Sequence, residues 1–195
     1  MRRRQFTRSI GTGLVLLATA GPLVLAPRLS AAQVPGRTSA AELSRSADSA
    51  LQKLYARIPA AKSIGSQAHA VLMFPKVTKA GLGIGGQYGE GVLFRDGKAV
   101  AYYNTAGASY GLQAGAQTYG YAMFFMNAAA LKQLDRTDGF EVGVGPSVVL
   151  LDEGKAKTLT TTTMKDDIYA FVFGQKGLMA GLGIQGNKIT RITPK

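Results

Sequence analysis

The sequence predicts an α+β domain: an N-terminal amphipathic helix packed on a Gly-rich, mostly antiparallel β-sheet of a kind that can close into a barrel. Three observations predict it. Apolar residues recur at three- and four-residue steps over 43–58, a helical stripe. From residue 68 to 192 the apolar runs are short and separated by turn signals, as strands are. Glycine accounts for 25 of 195 residues, and much of it alternates with apolar residues.

The elements follow in order. Ser39-x-x-Glu42 is a capping box, which starts a helix by satisfying orphan N–H groups. Leu43, Ala47, Ala50, Leu51, Leu54, Tyr55 and Ile58 form its apolar face, with Arg45, Asp48, Lys53 and Arg57 on polar positions. Pro59 ends it, and 60–67 adds a further turn or two. The helical start is thus 39–66 and the β-rich part 68–192. Ala70–Phe74 reads as a buried strand stopped by Pro75. Asp96-Gly97 joins the runs 92–94 and 99–103 as a two-residue hairpin, because both turn positions need positive φ. Gly186-Asn187 predicts a second hairpin, between 181–185 and 188–192. Asn127 caps a short helix to Leu134. Phe140, Val142 and Val144 alternate with Glu141, Gly143 and Gly145, which is strand periodicity, and 168–173 is another strand.

The first 32 residues are a different kind of sequence. They hold Arg2, Arg3, Arg4, Arg8 and Arg28 and no acid, around an apolar stretch from Ile10 to Leu25. Ser30-Ala31-Ala32 fits signal-peptidase cleavage before Gln33, and Arg3-Arg4-Gln5-Phe6 fits twin-arginine export. The expected organisation is therefore a signal peptide at 1–32, a linker at 33–38 and one domain at 39–195. The expected location is exported, periplasmic or secreted, at the membrane periphery. Removing those five arginines from the formal charge of +12 leaves +7. A basic exported domain meets anionic lipid or wall polymer rather than nucleic acid.

Composition also excludes chemistry. Zero Cys rules out disulfides, thiolate metal sites and Cys nucleophiles, and one His cannot build a His-based metal cluster. No Gly-x-Ser-x-Gly elbow occurs, so no catalytic residue, cofactor or metal is expected. His69, at the start of a buried strand, reads as structural. Asp152-Glu153 and Asp166-Asp167 read as turn pairs. Gly81-x-Gly83-x-x-Gly86 and Gly181-x-Gly183-x-x-Gly186 match a dinucleotide fingerprint in letters, but no helix follows either, so no nucleotide is expected. Residues 99–131 carry no charge, yet Ser109, Gly111, Gln113, Gly115 and Gln117 share one alternation, so strands are expected there and not a membrane helix.

The basic residues remain. Lys76 and Lys79 bracket the expected turn after Pro75, Lys155 and Lys157 lie in another, and Lys176 follows the strand at 168–173. Gathered at one sheet end, they would hold an anionic membrane at about 1 kcal/mol each.

The segments Phe74-Pro75-Lys76-Val77-Thr78-Lys79-Ala80-Gly81, Tyr103-Asn104-Thr105-Ala106-Gly107-Ala108-Ser109-Tyr110-Gly111, Ile168-Tyr169-Ala170-Phe171 and Gly177-Leu178-Met179-Ala180-Gly181-Leu182-Gly183 together resemble the SYLF lipid-binding domain family. The resemblance runs from the first helix to Ile192. It implies phosphoinositide or other anionic-lipid binding without catalysis, aided by an amphipathic helix, and actin binding in some fungal members. SH3 and FYVE modules of eukaryotic members have no counterpart in this sequence. The expected function is peripheral binding of anionic phospholipid through Lys76, Lys79, Lys155, Lys157 and Lys176. The face of Leu43, Leu51 and Leu54 then either inserts at the membrane or closes the core. The alternative is an envelope interaction protein binding protein or wall polymer. An enzyme would need acids such as Glu90 and Glu141 to meet at one pocket.

Overall fold

The computed structural model describes residues 38–136, 139–151, 165–177, 184 and 186–195, with backbone alone at 82–83, 109–114 and 177. All belong to one compact unit, Gly36–Lys195. The expected signal peptide, 1–32, lies outside the described residues, as does the linker apart from Thr38.

Helix α1 spans Ala40–Arg57, and the Ser39 hydroxyl accepts from the Glu42 N–H at 3.3 Å, so the cap forms where the capping box places it. Ile58 breaks the helix ahead of Pro59, which starts α2, Pro59–Gly65. Two long strands follow, β1 at Ala70–Arg95 and β2 at Lys98–Phe125. Their link is the expected Asp-Gly turn, with φ of 51° at Asp96 and 72° at Gly97 and Arg95 facing Lys98. Helix α3 is Ala128–Lys132, capped by the Asn127 side chain at 2.8 Å from the Ala130 N–H, and a 3-10 turn, Gln133–Asp135, continues it. Strands β3 (Phe140–Glu141), β4 (Val148–Leu151), β5 (Ile168–Gly177) and β6 (Lys188–Ile192) complete the sheet.

β2 is the spine of the sheet. β1 pairs along one edge of it. The other edge is shared, with β6 on residues 102–106 and β5 on 117–125. β3 extends β6, and β4 extends β5 as the one parallel pair described. β1 and β2 bend in mid-course, where the register shifts between Leu82 and Ile84. Beyond the bend, β1 lies back against its own beginning. A Cβ on Gly91 would stand 2.7 Å from the Met73 carbonyl oxygen, and one on Gly89 would stand 2.7 Å from that of Lys76. Each long strand so furnishes two segments of wall, eight in all, curled into a half-barrel. The half-barrel is open rather than closed, since β3 and β4, two and four residues long, end the described sheet as edges paired on one side.

Both faces of this sheet are buried, by different partners. On the inner face Leu72, Phe74, Val77, Leu93, Tyr103, Tyr121, Met123 and Phe125 meet Leu131, Leu134, Phe140 and Ile189. Phe74 stacks on Tyr121 at 4.6 Å between ring centroids. On the outer face Val71, Met73, Val92, Phe94, Phe124, Tyr169 and Phe171 receive Leu43, Ala47, Leu51, Leu54, Ile58, Ala61 and Ile64 from the two helices. The alternation of Val71 and Met73 outward with Leu72 and Phe74 inward is the strand period at work. The Ser44 hydroxyl and the Tyr102 hydroxyl, 3.1 Å apart, tie α1 to β2.

Three expectations are corrected. Pro75 does not stop its strand; a bulge between Phe74 and Val77 absorbs the missing N–H, and β1 runs on to Arg95. The strand expected through Val144 ends at Glu141, because Val142 and Gly143 turn and Gly143 and Gly145 adopt positive φ. The hairpin expected at Gly186-Asn187 lies partly outside the described residues, which omit 181–183 and 185, while 188–192 pairs with β2 and β3. His69 is exposed rather than buried, with its N–H donated to the Phe125 carbonyl. The period-two reading of 99–131 holds, since β2 occupies most of that stretch and no described helix is long and apolar enough to cross a membrane.

The close approach within β1 has a measurable consequence. At Gly91 an added Cβ would also stand 2.5 Å from Cδ1 of the fully buried Phe74 ring. Neither that ring nor the Met73 backbone can withdraw cheaply. We expect Gly91→Ala to cost about 1–3 kcal/mol, the usual range for overpacking. That is a fall of several degrees in melting temperature, read by circular dichroism.

Candidate lipid-contact groove

The buried stripe of α1 is Leu43, Ala47, Leu51 and Leu54. One residue earlier along the helix, and so rotated by about 100°, runs a second stripe. It comprises Ser46, Ala50, Lys53 and Arg57, with Ser49 beside it. That stripe forms one wall of a groove of about 470 Å³. Phe173, Gly174 and Lys176 of β5 form the other wall, and Pro75 of β1 and Leu54 of α1 contribute to the floor. Gly174, at φ 64°, breaks the extended course of β5 beside the half-buried Phe173 ring. Lys53, Arg57 and Lys176 are exposed cations, and among the described residues no acid lines the groove. Arg57 sits in the last turn of α1, where the helix dipole favours a cation. The groove is thus an apolar trough with a positive rim and two hydroxyls at one end.

The sequence-derived basic residues fall in different places. Lys76 is exposed next to Pro75. Lys176 is exposed on the groove wall. Lys79 is only 5% exposed, because no turn separates it from Lys76 and the strand alternation carries it to the inner face with Val77. Lys155 and Lys157 lie outside the described residues. Leu43, Leu51 and Leu54 are buried against the outer face of the sheet and do not front solvent. Lys53 and Arg57 were legible as polar positions of the helix but not as partners of Lys176. Their convergence needs α1 laid across β5. The one local sign was their four-residue spacing, which puts both on the helix flank beside the core stripe.

The inner face holds a polar layer that the sequence did not suggest. The Tyr119 hydroxyl donates to Gln87 Oε1 at 2.6 Å, and Gln87 Nε2 donates to Asn187 Oδ1. Thr105, Gln117 and Tyr121 share that face, and Thr105 Oγ1, Gln117 Oε1, Tyr121 Oη and Asn187 Nδ2 are buried without a hydrogen-bond partner. Burial pushes the Tyr119 phenol up to about 12 despite its approach to Asn187. It pushes the fully buried Tyr121 phenol higher, with nearby Thr105 and Asn187 offsetting the shift in part. Neither neighbour meets hydrogen-bond geometry with Tyr121. An orphaned buried polar atom costs about 1–3 kcal/mol, whereas apolar replacement of both members of a pair is close to neutral. The double substitution Thr105→Val with Tyr121→Phe is therefore expected to leave the melting temperature unchanged or raise it by a few degrees. A drop of more than about 4 °C, roughly 1–2 kcal/mol for a chain of this size, would mean these atoms have partners after all.

Among the described residues, the acids do not assemble into a reactive pair. Asp167 accepts from Asn127 Nδ2 at 2.7 Å and from the Ser147 N–H at 3.1 Å, a clasp joining the starts of α3, β4 and β5. The Asn127 and Ser147 donors hold its carboxyl below the ordinary 3.8. Glu90 accepts from the Tyr88 hydroxyl at 3.1 Å. Glu141 lines a cavity of about 100 Å³ with Arg136 and Lys188, and Glu90 is not part of that lining. Among the described residues, no group of three or more His, Cys, Asp or Glu side chains converges as a metal site would require. Gly81 to Gly86 lie within β1, with no helix N-terminus after them to hold a pyrophosphate.

The described residues thus form a helix-buttressed open half-barrel with a cationic groove. Residues 106–193 match the family model described as Ysc84, Las17-binding protein actin regulator. That segment runs from β2 to just past β6, and the match agrees with the motif resemblance. Phe173 and Lys176 of the groove lie inside the matched segment, while Lys53, Arg57 and Pro75 precede it. No curated protein matches the chain.

Proposed function

We propose that this is an exported, non-catalytic protein that binds anionic phospholipid at the membrane periphery through the α1–β5 groove. The observation that carries the reading is the convergence of Lys53, Arg57 and Lys176 over the apolar surfaces of Phe173 and Pro75. Lipid phosphates meet the cations, and Lys76, exposed beside Pro75, adds to the same field. The buried leucine face of α1 stays in the core. The twin-arginine pattern at Arg3-Arg4 supports export to the periplasm or beyond. The family description names a Las17-binding actin regulator, which supports a second reading: a protein-binding role in the envelope. The exposed side chains of Ile84 and Tyr88, 71% and 47% accessible, suit such a contact.

Co-sedimentation of the protein with neutral and with anionic vesicles, at low and at high salt, separates these readings. The lipid reading expects pelleting with anionic vesicles alone, weakened by salt. A folded protein that pellets with neither moves the assignment to the protein-binding reading.

A further inference from the structure

We propose that the groove holds one anionic phospholipid molecule at a time, with its phosphate at the rim of Lys53, Arg57 and Lys176 and the start of an acyl chain on Phe173 and Pro75. This rests on the lipid reading above and goes beyond it. A flat basic patch attracts a membrane by summed charge and singles out no molecule. A concave site does otherwise. Its volume of about 470 Å³ falls within the range of small-molecule sites, roughly 300–1,000 Å³. Its chemistry is divided along its length. Cations stand on both walls, so a phosphate between them is gripped from two elements rather than from one helix face. Below them the Phe173 ring and Pro75 offer apolar surface that a headgroup alone leaves wet. At the other end, the Ser46 and Ser49 hydroxyls are placed to meet ester or glycerol oxygens. An amphiphile with a phosphate and a short apolar segment matches all three parts. Inorganic phosphate matches the first alone.

The test uses the full chain and three soluble probes: dihexanoyl phosphatidic acid below its micellar concentration, dihexanoyl phosphatidylcholine and inorganic phosphate. Anionic-vesicle co-sedimentation is run beside them. Calorimetry is expected to give saturable one-to-one binding of the short-chain phosphatidic acid, at least tenfold tighter than either other probe. Lys176→Glu, an exposed position, should weaken it by tenfold or more at an unchanged melting temperature. Phe173→Ala should weaken the short-chain lipid while leaving inorganic phosphate binding as it was. If anionic vesicles bind but the short-chain lipid binds no tighter than inorganic phosphate, the single-molecule site is overturned and the peripheral reading stands. If the vesicles fail as well, both fall.

Discussion

Replacing Lys53, Arg57 and Lys176 together by Glu is expected to weaken binding to anionic vesicles by at least about 100-fold, with the fold intact. The three cations lie on the rim of one groove, and among the described residues no acid shares its lining. Each basic residue near an anionic surface contributes about 1 kcal/mol, and reversal adds repulsion to the loss. Three such sites give at least about 3 kcal/mol, more than two factors of ten in affinity. All three are exposed, so their effect on stability is small, within about 0.5 kcal/mol each. The fluorescence or sedimentation titration that measures the affinity is paired with a melting curve. Unchanged vesicle affinity in the folded triple variant would remove the groove from the account.

Leu51→Glu is expected to unfold the domain. Leu51 is 6% exposed, between Ala47 and Leu54, and its neighbours across the interface come from the outer face of the sheet. Losing a buried leucine costs about 2–5 kcal/mol. An unpaired buried carboxylate adds several kcal/mol more, or takes up a proton to avoid it. The sum is comparable to the whole stability of an ordinary domain, about 5–15 kcal/mol. Far-ultraviolet circular dichroism and a thermal melt report the outcome. A variant that melts like the parent yet no longer binds vesicles would show that this helix face works at the membrane and not in the core.

These contrasts show what local sequence carries and what it does not. The α1 cap and stripe, the Asp96-Gly97 turn and the Asn127 cap depend on residues within four positions of one another, and each forms where the pattern places it. Pro75 and Lys79 were misplaced for one shared reason. The bulge between Phe74 and Val77 is stabilised by pairing with Tyr121 and Tyr119, almost fifty residues on. It lets the strand continue and sets which side Lys79 faces. The openness of the half-barrel depends on how far β3 and β4 extend the sheet, which no single strand encodes. The groove was half legible. Lys176 stood out as basic, and Lys53 and Arg57 as the polar side of a helix. Only the packing of α1 against the sheet brings the two sets together. The polar layer was hidden because Gln87 in β1, Thr105 and Gln117 in β2 and Asn187 just before β6 are far apart in sequence and share a buried face only once the sheet curls.

We propose the groove between α1 and β5 as the surface that meets lipid. Hydrogen–deuterium exchange of the protein, free and bound to anionic vesicles, tests it most directly. Added protection is expected over residues 46–57 and 173–176, with the middle of β1 around Ile84 and Tyr88 unchanged. Protection at the middle of β1 instead, with α1 and β5 exchanging as in the free protein, would move the lipid contact away from the groove.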